Sequence, residues 1–239
     1  MSNPFIYLKE QCETCKGKGY IWHNDPKDPK YGQKPEQCIC VKKMVIYNRM
    51  QEANIPPEYF DLSMSYFKPS TDQGALVKKD MMEATADIAK YFRVGKNFLF
   101  FGPNGTGKTM LAIEMLKAAA RSNYSVHYAF YPVIVEDYMK KGYKSDEIKE
   151  KMDELFASVD FLVLDEIGKE AVSAGVELTS NILEMHILKK RFHKKTILIS
   201  NKTPTQLCGD YNSTVASLLT NNYIYYNVDG VDYRYRGNA

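Results

Sequence analysis

One run restricts this chain more than any other: Gly102-Pro-Asn-Gly-Thr-Gly-Lys-Thr109, between the apolar stretch Asn97-Phe-Leu-Phe-Phe101 and a helix-forming stretch from Lys108 to Ser122. It fits G-x4-G-K-[ST] at every fixed position. Gly102, Gly105 and Gly107 let the backbone turn sharply and aim successive N–H groups at phosphate oxygens. The helix N-terminus behind them adds partial positive charge. Lys108 is expected to reach the β- and γ-phosphates, and the Thr109 hydroxyl to ligate magnesium. The strand–loop–helix context makes a chance glycine-rich turn a poor explanation. The spacing therefore assigns nucleotide binding to Gly102, Pro103, Asn104, Gly105, Thr106, Gly107, Lys108, Thr109 and Met110.

The surrounding pattern supplies a matching framework. Apolar or alternating stretches at 97–101, 125–131, 161–164, 196–199 and 223–228 predict five strands. Helical periodicity predicts helices over 76–92, 108–122, 134–141, 145–157 and 174–192, with a shorter one over 41–53. Strands alternating with helices imply a parallel sheet covered on both faces. Hydrophobic residues make up 44% and charged residues 26%, a globular composition, while a net charge of +3 excludes a globally basic nucleic-acid binder. No stretch approaches the ~18–20 apolar residues of a membrane span. The opening residues lack the apolar segment of a signal peptide, so a cytoplasmic location is expected.

Val159-Asp-Phe-Leu-Val-Leu-Asp-Glu166 is an apolar strand ending in two carboxylates. In a parallel sheet that end lies beside the phosphate loop. Asp165 is then placed to hold magnesium through water, and Glu166 to orient or deprotonate an attacking water, which favours ATP hydrolysis. Asn201 closes a further apolar strand, where it can reach the γ-phosphate or that water; as a strand-terminal residue it can equally be a turn former. Lys108, Asp165, Glu166 and Asn201 are the candidate catalytic set.

Four of the five cysteines, Cys12, Cys15, Cys38 and Cys40, lie within the first 40 residues. In a reducing compartment such a cluster points to metal ligands. Four thiolates suit a closed, tetrahedral structural zinc site, and zinc would explain how a segment poor in core residues folds. His23 is an alternative fourth ligand. Cys208 reads as a buried or free thiol. Between the cysteine pairs, residues 23–37 read as a polar loop.

Together GPNGTGKT, LVLDEIG and ILISN resemble the Walker A, Walker B and sensor 1 motifs of AAA+ ATPases. Asp165-Glu-Ile-Gly168, the lead-in Asn54-Ile-Pro-Pro-Glu-Tyr59 and the ending Val231-Asp-Tyr-Arg234 are most similar to the DnaC/DnaI-type replicative helicase loaders and the related IstB-like ATPases. The resemblance covers about residues 54–236. It implies an α/β P-loop AAA+ core, a five-stranded parallel sheet between helices without a helical lid, preceded by a small zinc-binding module. The corresponding organisation is a zinc-binding, partner-docking module at 1–53, a linker or lead-in at 54–75 and an ATPase domain at 76–239. It implies ATP or ADP, Mg2+ and Zn2+ as cofactors. The implied partners are a hexameric replicative helicase, gripped by the N-terminal module, and single-stranded DNA, with self-association or co-assembly on the helicase. A transposition ATPase acting on target DNA, or a nucleotide-gated adaptor with negligible turnover, are the alternatives.

One departure matters. Loaders of this type carry arginines in the helix before the last strand, whereas Asn212-Ser-Thr-Val-Ala-Ser-Leu-Leu-Thr220 has none. An arginine finger supplies much of the charge stabilisation in phosphoryl transfer, so slow basal turnover is expected unless Arg191 or a partner replaces it. Arg234 is a candidate nucleotide or interface arginine, or a solvated charge. Two stretches carry cations suited to DNA or a neighbouring subunit: Lys189-Lys-Arg-Phe-His-Lys-Lys195 and Tyr138-Met-Lys-Lys-Gly-Tyr-Lys144. Each can also be an ordinary solvated helix face.

Overall fold

A computed structural model describes residues 12–94, 96–139, 146–170 and 175–233. The chain divides into two compact units, Met1–Glu52 and Ala53–Ala239.

In the first unit the backbone turns through positive φ at Lys16 (48°), Gly17 (80°) and Gly19 (80°). Lys16 N donates to Cys12 O at 2.7 Å, closing the turn. The loop then forms a two-stranded antiparallel ribbon, β1 (Tyr20–Ile21) with β2 (Glu36–Gln37), where composition alone suggests no strand. Helix α1 (Ile39–Glu52) follows. Buried Cys15, Cys38 and Cys40 form a cluster, with Cys12, Ile21 and Val41 packed against it. So few aliphatic side chains make a small core, and the sulfurs sit inside it.

The second unit is built on five parallel strands: β3 (Asn97–Phe101), β4 (Val126–Phe130), β5 (Phe161–Asp165), β6 (Lys195–Ser200) and β7 (Tyr223–Asn227). Their order is β4-β5-β6-β3-β7, with Leu99 opposite Leu198 and Val163 opposite Ile197. Every residue of β5 and β6 is buried, which explains their unbroken apolar sequence. The helices are α2 (Asp72–Ala86), α3 (Ile88–Arg93), α4 (Lys108–Arg121), α5 (Tyr131–Asp137), α6 (Asp146–Ser158), α7 (Val176–Asn181), α8 (Pro204–Asp210) and α9 (Ser213–Asn222). From β3 the chain runs to β4 at the far edge and returns through β5 to β6, next to β3. That reversal opens a crevice at the carboxyl ends of the strands, where ligands bind in such sheets.

Three expectations need correction. The helix expected over 76–92 is two helices. Thr71 Oγ1 accepts from Gly74 N at 3.0 Å at the start of α2, and Asp87, capping α3 by accepting from Lys90 N at 2.9 Å, divides them. The helix expected over 174–192 loses regularity: α7 widens into π-type turns over Ile182–Ile187 and tightens into a 3-10 turn over Leu188–Arg191. Last, the lead-in does not behave as a linker. From Ala53 it belongs to the second unit, with Ala53 O accepting from Tyr128 N at 2.8 Å and Asn54 Nδ2 donating to Tyr128 O at 3.1 Å. Ile55 and Phe67 are buried, and short 3-10 turns form over Pro57–Tyr59 and Met64–Tyr66.

The run 189–195 is largely committed to the fold. Arg191 is 2% exposed. Its guanidinium donates to Val159 O (2.9 Å), Lys195 O (2.6 Å), Asp160 O (3.3 Å), Thr196 Oγ1 (2.9 Å) and Phe156 O. It thereby joins the end of α6 to the start of β6, and burial lowers its pKa to about 10. Lys189 pairs with Glu184 at 2.6 Å and Lys190 with Asp153 at 2.5 Å. Lys194 donates to Ser158 O, and the buried Lys195 to Val94 O and Lys96 O. Arg191 is thus a structural residue, not a finger for a neighbouring site. Arg191→Ala would leave buried carbonyls unpaired at a cost of about 3 kcal/mol. The thermal midpoint by circular dichroism is expected to fall by roughly 6–12 °C; an unchanged midpoint would contradict this role.

Candidate functional site

The phosphate-binding loop leaves β3 at Gly102 and enters α4 at Gly107, with φ of 139° at Gly102, 74° at Gly105 and 94° at Gly107. At Gly102 a Cβ would lie 2.4 Å from Val228 O, and at Gly105 1.9 Å from Asp232 Oδ1. These glycines serve close approach as well as turning. Lys108 is buried and folds back over the loop, donating to Gly102 O at 2.9 Å and Pro103 O at 2.6 Å. The loop therefore already surrounds an ammonium.

Opposite it, β5 delivers Asp165, only 3% exposed. Asp165 Oδ2 accepts from Thr109 Oγ1 at 2.9 Å and Tyr128 Oη at 2.8 Å, while Oδ1 accepts from Glu166 N at 2.8 Å. Burial raises the Asp165 pKa, and these hydrogen bonds work against that shift. Glu166 adopts a left-handed φ of 63°, a strained conformation for a non-glycine residue. Its Oε2 accepts from Asn201 Nδ2 at 3.1 Å and pairs with Lys169 Nζ at 2.5 Å. The fold thus gathers Lys108, Thr109, Asp165, Glu166 and Asn201, which come from three separate stretches of sequence.

Between them lies a cavity of about 520 Å3, within the usual range for small-molecule sites. One kind of wall is polar, with Lys108, Thr109, Glu166 and Asn201; the other is apolar and aromatic, with Tyr59, Leu62, Tyr66, Met110 and Tyr233. Burial and the Asp165 charge raise the Tyr59 pKa, and the neighbouring Thr109 side chain works against that shift. The C-terminal segment runs along the loop: Tyr233 N donates to Gly105 O at 2.8 Å, and the Tyr233 ring lies 5.9 Å from Phe67. Arg234 lies outside the described residues.

The sequence did not point to Tyr128, to Lys169 or, Met110 aside, to the apolar wall. Tyr128 sits in an ordinary β-strand, and nothing in its neighbours announces a bond to Asp165. Lys169 follows Glu166 by three residues, a spacing recognisable only once the turn is seen.

In the first unit, Sγ of Cys12, Cys15, Cys38 and Cys40 all lie within 4.8 Å of one another. Cys12 and Cys38 are 3.6 Å apart, Cys15 and Cys40 3.5 Å. A tetrahedron with metal–sulfur bonds of ~2.3 Å has sulfurs roughly 3.8 Å apart, so the donor set fits one cation. A backbone hydrogen bond from Cys15 lowers the Cys12 pKa to about 6, and burial raises that of Cys40 to about 12. His23 is turned elsewhere, with Nδ1 2.6 Å from Asp28 Oδ2; the cysteines alone complete the set. Cys208 stands apart, half-buried.

The other surface considered for nucleic acid begins at Tyr138, which is buried with Oη donating to Asp153 Oδ1 at 3.1 Å, and so presents no stacking face. Its remaining cations, in 140–144, lie outside the described residues. Among the described residues, no helix is long and apolar enough to cross a membrane.

Comparison with known proteins agrees with this geometry. A family model described as IstB-like ATP binding protein matches residues 61–219. A curated relative, the insertion sequence IS5376 putative ATP-binding protein of Geobacillus stearothermophilus, is 30% identical over 146 residues, covering 59% of this chain and 56% of that protein. The chain thus matches little more than half the length of this relative. Among solved structures, DnaI superposes with a TM-score of 0.60 at 20% identity, covering 73% of this chain and 94% of DnaI. The DnaC helicase loader gives 0.59 at 18% identity, covering 73% and 100%. At these identities the likeness to the two structures is one of fold.

Proposed function

Because the chain belongs to the IstB-like ATP-binding family, we propose that its second unit binds ATP with magnesium, hydrolyses it slowly, and serves to place a replicative helicase on single-stranded DNA. The observation that carries the nucleotide reading is the meeting of Lys108, Thr109, Glu166 and Asn201 around one cavity, with the buried Asp165 bonded to Thr109 behind them. The triphosphate lies in the loop, its charge met by the backbone N–H groups and Lys108. Thr109 and Asp165 would hold magnesium, which would supply positive charge against the triphosphate. Glu166, oriented by Asn201 and Lys169, accepts a proton from water as that water attacks the γ-phosphorus. The bond from that phosphorus to the bridging oxygen breaks, releasing ADP and phosphate. Adenine packs among Tyr59, Leu62, Tyr66 and Met110.

Helix α9 carries no arginine and Arg191 is buried in the fold, so turnover by the protein alone is slow. A trans arginine is worth ~10³–10⁵ in rate, which leaves room for stimulation by a partner. Helicase loading is supported by the resemblance of the motifs and by the DnaI and DnaC folds. A second reading, a transposition ATPase acting on target DNA, is favoured by the insertion-sequence relative.

Lys108→Ala is expected to weaken ATP binding at least ~100-fold while the fold is kept, and Glu166→Gln to retain binding but lose ~100-fold or more in turnover. Turnover is measured alone and with a hexameric helicase on single-stranded DNA. Stimulation by the helicase and its co-purification support loading. A response only to duplex DNA with transposase supports the second reading. Wild-type turnover in Glu166→Gln would remove Glu166 from the mechanism.

The four cysteines hold one structural zinc, and the first unit docks the partner. Elemental analysis of the purified chain is expected to give about one zinc per chain, and Cys12→Ser or Cys38→Ser to lose it while ATP binding persists. Native protein without metal would refute the site.

A further inference from the structure

Lysine is rarely buried, because its ammonium leaves water at high cost unless paired and hydrogen-bonded. Lys117, on α4, is 2% exposed. Its Nζ donates to Glu114 Oε1 at 2.7 Å, to Tyr59 O at 2.9 Å and to Leu62 O. Three donors meet three acceptors, which saturates the group. Glu114 is itself buried and neutralises it.

The two carbonyls lie in the lead-in, far away in sequence, and they belong to residues that line the cavity, Tyr59 and Leu62. The amine holds the backbone of the wall whose side chains face the cavity. A second amine acts further along the same segment: Lys78 Nζ donates to Phe67 O at 2.6 Å, and the Phe67 ring is 3.0 Å from where a Cβ on Gly107 would stand. Helix α4 begins in the phosphate loop with Lys108 and Thr109. Lys117 lies roughly 13 Å further along the helix at ~1.5 Å per residue. One rigid element therefore carries the phosphate-binding groups at its first turn and the anchor of the apolar wall at a later one. An apolar residue in place of Lys117 could fill the space but would leave inward-turned carbonyls without donors.

We propose that Lys117, neutralised by Glu114, is a positioning residue for the nucleoside half of the site: it fixes the Tyr59–Leu62 wall relative to the phosphate loop and so sets affinity for the base and sugar without touching the nucleotide. This rests on the ATP-binding reading above. A wall already in place need not be ordered on binding, which preserves affinity that ordering would consume.

The test is calorimetric titration of the full chain with magnesium ATP and, separately, magnesium tripolyphosphate, which has the anionic chain but no nucleoside. Lys117→Met and Tyr59→Ala are expected to weaken ATP ~10- to 100-fold, the scale of one lost base–aromatic contact. Tripolyphosphate is expected to bind all three proteins within about twofold. In Lys117→Met, turnover at saturating ATP stays near wild type while KM rises. Should Lys117→Met fail to fold, Lys117→Gln, whose amide still donates to one carbonyl, is compared in the same way. Equal weakening of both ligands in the Lys117 variant, or unchanged ATP affinity, would overturn the proposal. Lys108→Ala separates the two readings, since it should lose both ligands; wild-type protein that binds neither would overturn the ATP reading instead.

Discussion

The buried carboxylate of Asp165 ties the nucleotide site together. It is the last residue of a fully buried strand, yet it must be satisfied inside the protein, because an unpaired charge there would be costly. Thr109 from α4, Tyr128 from β4 and the backbone of Glu166 supply the hydrogen bonds. That arrangement fixes α4 against the sheet with its N-terminus at the crevice. It also fixes the turn that gives Glu166 its left-handed backbone and brings its carboxylate to Asn201. The strain at Glu166 is sustained because Asp165, Asn201 and Lys169 hold its surroundings from several sides.

The same economy governs the other buried polar groups. Arg191 and Lys117 are cations enclosed by backbone carbonyls, and each joins segments distant in sequence. Arg191 joins α6 to β6 at the end of the sheet away from the cavity. Lys117 joins α4 to the lead-in beside the cavity. Neither behaves as a surface charge, and both show why counting cations in a sequence overstates the surface available to DNA.

Much of the second unit was legible in the sequence, for physical reasons. Buried parallel strands must be continuously apolar, so β3, β5 and β6 stand out. The phosphate loop demands glycine where φ is positive, and Lys108, Thr109, Asp165, Glu166 and Asn201 lie at strand or helix ends where topology brings them together. What was not legible depends on contacts distant in sequence. The lead-in reads as Pro-broken and loop-like, and its place in the second unit is set by Tyr128, Lys78 and Lys117, none of which its own residues announce. The ribbon of β1 and β2 is only two residues per strand, too short for any alternation to be read. The break at Asp87 is masked in the sequence by helical periodicity on either side, and only its bond to Lys90 N reveals it as a cap. The cysteine set was legible, although the exclusion of His23 follows only from its contact with Asp28.

On the function proposed above, one nucleotide binds in the crevice between the phosphate loop and the lead-in, bridging segments that the sequence keeps apart. Hydrogen–deuterium exchange of the full chain, with and without magnesium and a non-hydrolysable ATP analogue, tests this most directly. Protection is expected together in peptides spanning the phosphate loop and first turn of α4, the lead-in around Tyr59–Tyr66, and the end of β5 through Glu166. Protection of the phosphate loop alone, with the lead-in unchanged at saturating nucleotide, would rule out a site shared by the two segments.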